Sequence, residues 1–176
     1  MNLQYAGESM HVAIAFLTII ASFKWGDWKN WHKYHSTMLY IMAGGLLYEY
    51  IVSNHTLWEF HPDFLYGHKM TVIVYAMLTM PVSVLIYLSL YPDNKNWRKK
   101  IVYVLKWILV YIAVEWILMV TNRISYNHGW NIWYSLCFDA LMFPMLRIHH
   151  TYPVIAYPIS ISIVILIMLC FGIRLS

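Results

Sequence analysis

Three carboxylates fall inside apolar stretches of this chain: Glu49, Glu115 and Asp139. A charge held in hydrocarbon is expensive and normally faces a cavity or a partner, so these three are the first candidates for chemistry. His128, Asn131, Ser135 and Asp139 follow one another at steps of 3, 4 and 4. On a helix those steps share one face, giving a polar stripe that descends from an outer end into the membrane. With Glu49 and Glu115, the stripe would line an outward-facing polar pocket for a proton, a cation or a small amphipathic ligand. Glu49 has Gly45 one turn away, where a second backbone can approach closely, and Glu115 has Tyr111 on its own side.

A second group lies between residues 53 and 69. His55, Glu59, His61, Asp63 and His68 are ligand types for zinc or copper, but their spacing matches no closed structural zinc pattern. Trp58, Phe60, Phe64 and Tyr66 are interleaved among them. The reading is a loop folded over an outward pocket, with no metal and no cofactor expected. There is no nucleophile elbow, phosphate loop or H-E-x-x-H, so familiar hydrolases, ATPases and membrane metalloproteases are excluded.

These residues must be positioned by elements that live in lipid. Of 176 residues, 61% are hydrophobic and 11% charged. A soluble domain carries about 25% charged residues, so water is not the main solvent here. Apolar runs at about 10–23, 37–52, 70–91, 101–121, 130–146 and 154–173 predict an all-α bundle of six spans in a single domain, 1–176. The first run has no Lys or Arg before it and reads as an uncleaved span. The fifth is short, roughly 25 Å at 1.5 Å per residue, and if it were re-entrant the count would be five.

Lys24, Lys29, Lys33, Lys95, Arg98, Lys99, Lys100 and Arg147 fall on one side of this topology, against Lys69, Arg123 and Arg174 on the other. The basic side faces the cytoplasm, so both termini are expected outside. The same asymmetry accounts for the net charge of +4, and no nucleic-acid partner is needed. Trp25, Trp28 and Trp31, beside Lys24, Lys29 and Lys33, read as an interfacial anchor. The hairpins of spans two to five look alike. Glu49, an outer loop with His61 and Gly67, and Pro81 correspond to Glu115, a loop with His128 and Gly129, and Pro144.

K-W-G-D-W-K-N-W (Lys24–Trp31), L-W-E-F-H-P (Leu57–Pro62), S-Y-N-H-G-W-N-I-W-Y-S (Ser125–Ser135) and M-F-P-M-L-R-I-H-H (Met142–His150) occur in this order. Together they resemble a family of small, uncharacterised multispanning membrane proteins of spore-forming Gram-positive bacteria. The resemblance covers roughly residues 10–153 and implies a bacterial cytoplasmic membrane location, without assigning a role to any residue. Three functions remain open on the residues alone. The first is binding or transport at the polar pocket. The second is a structural or accessory subunit contacting other membrane proteins or a second copy of itself. The third is a lipid- or isoprenoid-modifying enzyme using the membrane carboxylates as acid and base.

Overall fold

A computed structural model describes residues 10–61 and 67–173. The chain is mostly helical. Helix α1 (Met10–Trp25) leads through a bend at Gly26 into a 3-10 turn, Trp28–Lys33, and then α2 (His35–Ile51). Strand β1 (Trp58–Phe60) precedes α3 (His68–Val74), a π turn (Tyr75–Thr79) and α4 (Met80–Ser89), which together form one rod. Helix α5 (Trp97–Val120), strand β2 (Ile124–Tyr126), α6 (Ile132–Thr151) and α7 (Pro153–Phe171) complete the order.

Local chemistry sets most of the boundaries. Asn96 and Asn131 are extended residues whose side chains accept from the backbone N–H of Lys99 and Trp133, capping α5 and α6. Gly172, in the left-handed region, closes α7. Pro81 has no N–H to give the preceding turn, and its ring crowds the carbonyl four residues back. The π turn just before it absorbs that misfit, with Met80 N–H reaching back to the Tyr75 carbonyl. Trp28 and Trp31 lie on the 3-10 turn, where a spacing of three stacks side chains one above the other. Both rings and that of Trp25 are exposed, and the Lys24 ammonium sits 5.0 Å over Trp25.

The six helical rods run alternately between two ends. At one end Asp27 N–H donates to Ser89 Oγ (2.9 Å), Arg147 pairs with Asp93, and Thr37 bonds His149 (3.0 Å). At the other, Thr121 Oγ1 meets Met10 Sδ (3.4 Å), His68 pairs with Glu49, and β1 pairs with β2. The basic connections gather at the first end and the strands at the second. Among the described residues, three rods are long and apolar enough to cross a membrane: His68–Ser89, Trp97–Val120 and Pro153–Phe171. Helix α7 has scarcely any of its surface buried, as an outer helix in lipid would.

The chain is mostly helical, as the predicted all-α class has it, and adds one short two-stranded ribbon that the apolar runs do not announce. Trp58, Phe60, Ile124 and Tyr126 are bulky residues at alternate positions, which suit a short pleated ribbon. The ribbon is antiparallel, with Trp58 opposite Tyr126, Glu59 opposite Ser125 and Phe60 opposite Ile124. Ser125 stands 66 residues after Glu59, and Glu115 stands 66 after Glu49, so the pairing is two-fold symmetric about its centre. Pro81 and Pro144 are 63 apart, and so do not occupy matching places in the two hairpins. The expected shortness of the fifth segment is also corrected. Helix α6 is continuous for 20 residues despite Pro144, and includes Arg147, His149 and His150. At 1.5 Å per residue that is about 30 Å, the hydrocarbon thickness.

Between α4, α5 and α6 lies an aromatic core. Tyr87 is fully buried, its hydroxyl donates to the Phe143 carbonyl (3.0 Å), and its ring packs against Tyr91, Tyr103, Trp107 and Phe143. A second cluster under the sheet joins Val52, Leu57, Trp130 and Ile173.

Candidate functional site

Helix α1 packs on α4 and the π turn, and α5 packs on α6. Between these two packed pairs is a cavity of about 520 Å³, roofed by Trp58, Phe60, Ile124 and Trp130 of the sheet region. Its walls are almost wholly apolar. Thr18, Tyr75 and Thr79 are polar residues on the α1 and π-turn side, and a cluster lies where α4, α5 and α6 face it: Ser83, Tyr111, Glu115, Ser135 and Asp139.

Glu115 is held from two sides. Ser135 Oγ donates to its Oε1 at 2.5 Å and Tyr126 Oη at 2.8 Å. Trp130 Nε1–H in turn donates to Ser135 Oγ (2.9 Å), so the carboxylate ends a chain of bonds linking α5, β2 and α6. Ser83 commits its proton to the Met80 carbonyl (2.8 Å), which leaves the Tyr111 hydroxyl donating to Ser83 (2.5 Å). Asp139 is different. Its side chain is 6% exposed, it lines the cavity, and its Oδ2 has no hydrogen-bond partner among the described residues. Buried polar atoms are nearly always paired, so an unpaired carboxylate oxygen on a cavity wall marks a place for a guest's donor.

The sequence stripe is broken up by the structure. Ser135 and Asp139 share the cavity face of α6, but His128 does not belong to that helix. It sits in the left-handed region, as does Gly129, in the loop ahead of the Asn131 cap. Its Nδ1 bonds the Thr56 carbonyl (2.9 Å) and its ring stacks on His55 at 3.6 Å, tying the two outer loops together. Asn131 is spent on capping. Glu49 is also outside the cavity lining, because its carboxylate pairs with His68 Nε2 (3.1 Å) while His68 Nδ1 accepts from Phe60 N–H. Gly45 does permit close approach, as expected: a Cβ there would come within 3.2 Å of the Ala76 methyl of the π turn.

The weak metal candidates are dispersed. His55 stacks on His128, His61 bonds Ser125 (2.9 Å), His68 holds Glu49, and Glu59 lies in the ribbon. Asp63 lies outside the described residues. No group of three potential ligands forms among the described residues. At the other end His149 is buried and His150 half-buried. His149 lies between Thr37, Tyr157 and the stacked ring of Tyr40, and His150 stacks on Tyr34.

Sequence reasoning missed Tyr126, Trp130 and Ser83. Trp130 and Tyr126 lie in the loop and strand before α6, where spacing along a helix carries no information. Ser83 lies on α4, just past the π turn, and meets the Tyr111 hydroxyl from a different helix, a pairing that spacing along one chain does not encode. Neither a family model, nor a curated protein, nor a solved structure matches the chain.

Proposed function

We propose that this is a six-span protein of the bacterial cytoplasmic membrane that binds an amphipathic molecule drawn from the bilayer. Its polar head would sit at Asp139 and Glu115, and its apolar part in the cavity. Asp139 Oδ2, buried without a partner on the wall of that cavity, is the observation that carries this reading. The mouth supports entry from lipid: Leu17 and Val110, both lining residues, are 63% and 54% exposed. A water-facing mouth would not carry such residues, whereas a mouth between membrane helices would.

The rods' common traverse between the two ends supports six spans, although α1 and α2 are shorter than the other four and α6 is less apolar. The gathering of Lys and Arg at the Ser89–Trp97 end favours that end as cytoplasmic. The resemblance in the motifs favours the same membrane. A ligand-binding or transport role accounts for Asp139, which an accessory role leaves without purpose.

Bromodecyl amphiphiles quench tryptophan on contact, and Trp58, Trp107 and Trp130 line the cavity. In lipid nanodiscs, at least one head-group type is expected to show a saturable quenching phase with the wild-type protein. Val114 lines the cavity and Val120 is exposed outside it. The phase is expected to vanish in Val114→Trp and persist in Val120→Trp. A saturable phase equal in both variants, for every head group, contradicts the reading.

A further inference from the structure

The lining of this cavity is lopsided in charge. It holds two carboxylic side chains, Glu115 and Asp139, and no Lys, Arg or His among the described residues. The two acids are not spent alike. Glu115 Oε1 accepts from Ser135 and Tyr126, whereas Asp139 Oδ2 accepts from nothing among the described residues. Electrostatic complementarity in a site shielded from water penalises a guest of the wrong sign far more than it would at a surface. An anionic head here would face two acids with no compensating base. A cationic head would meet one acceptor that is free and another already held in place.

The rest of the wall reinforces this sign. Trp58, Trp107, Tyr111, Trp130 and Phe138 all line the cavity. Aromatic faces carry negative charge density and attract cations, most strongly when the cation has shed its water. A neutral hydroxyl gains little from them. The mouth, rimmed by Leu17 and Val110, admits only a molecule that is itself lipophilic.

We infer that the guest is a lipophilic cation: an amine or quaternary ammonium on an apolar body, with its charge between Asp139, Glu115 and the aromatic wall. This rests on the cavity being a binding site for a bilayer-derived amphiphile, and the two ideas fail in different ways.

The test uses the full chain in nanodiscs and three probes that share one tail: 10-bromodecyltrimethylammonium, 10-bromodecanol and 10-bromodecanoate. Saturable tryptophan quenching that is absent in Val114→Trp reports cavity occupancy. The ammonium is expected to bind at least about tenfold more tightly than the alcohol, with the carboxylate weakest, in line with the coupling of close charge pairs. In Glu115→Gln/Asp139→Asn the ammonium's advantage is expected to fall to within about twofold, because the residual preference then comes from the rings alone. Asp139→Asn alone, which leaves the Glu115 bonds intact, is expected to remove most of it and covers the case in which the double variant does not fold. If the alcohol or the carboxylate binds as tightly as the ammonium, the cationic inference is overturned while the cavity reading stands. If no probe shows a cavity-dependent phase, both fall. An ammonium preference unchanged in Asp139→Asn also overturns the inference.

Discussion

Replacing Asp139 with leucine is expected to make the protein more stable and to abolish ligand binding in the same step. A buried polar group without a partner costs about 1–3 kcal/mol, and leucine, whose larger side chain has the cavity to extend into, removes that cost while adding apolar contact to neighbours such as Phe138 and Met142. Few single substitutions in a packed bundle stabilise it, since most destabilise by roughly 0.5–3 kcal/mol. The sign of the effect is therefore diagnostic. Residues kept for function at the expense of stability show this trade-off, whereas residues kept for structure do not. Reversible unfolding in mixed detergent, with bromodecyl quenching on the same samples, measures both quantities. A clear loss of stability would mean that Asp139 has a structural partner, and the cavity would lose its claim to be a site.

Glu115→Ala is expected to move stability the other way, by about 3 kcal/mol or more, because it strands two buried donors and opens a void. Ser135 and Tyr126 both lose their acceptor, and the bond from Trp130 to Ser135 loses its anchor. Since these residues belong to α6, β2 and the loop between them, the sheet region over the cavity should loosen together with the α5–α6 contact. Glu115→Gln keeps a carbonyl oxygen in place of Oε1 and should cost less than half as much. Equal losses for the alanine and glutamine variants would show that charge, not the pair of accepted bonds, is what holds this region. The contrast between Glu115 and Asp139 matters more than either value: two acids on one wall, one structural and one waiting for a guest.

Why one acid was legible and the other relations were not can be traced residue by residue. Continuous apolar runs give away helices whatever their partners, so five of the six predicted segments lie within a few residues of observed ones. The remaining one, the fifth at 130–146, ends too early because Arg147 and the two histidines look like an ending. In fact the helix runs on to Thr151, with His149 buried against Thr37 and Tyr40 and His150 stacked on Tyr34. The polar stripe failed at its outer half for a local reason. His128 and Gly129 take left-handed backbone conformations, and Asn131 caps the helix, so a period that continues through all four residues is accidental.

Glu49 and Glu115 look equivalent in sequence, each in the last two turns of its helix and 66 residues apart. Their surroundings separate them. His68 at the start of α3 hydrogen-bonds Glu49, while the corresponding hairpin offers Glu115 only hydroxyls. That difference depends on tertiary pairing, which spacing along one chain does not encode. The π turn was likewise out of reach: Pro81 announces a disturbance in the rod, but not that the strain is taken up over Tyr75–Thr79, nor that Thr79, Met80 and Ser83 line the cavity.

The central claim is occupancy of this cavity by a molecule from the bilayer, and photolabelling tests it most directly. A long-chain quaternary ammonium carrying a diazirine in its tail, activated in nanodiscs and followed by peptide sequencing, should label cavity-lining residues of α5 and α6 such as Val114, Phe138 and Met142. Labelling there should fall sharply in Asp139→Leu. Labels confined to the outward residues of α7, such as Ile161 and Leu169, and unchanged by that substitution, would show that the probe sees only the protein's lipid-facing surface and would contradict the account.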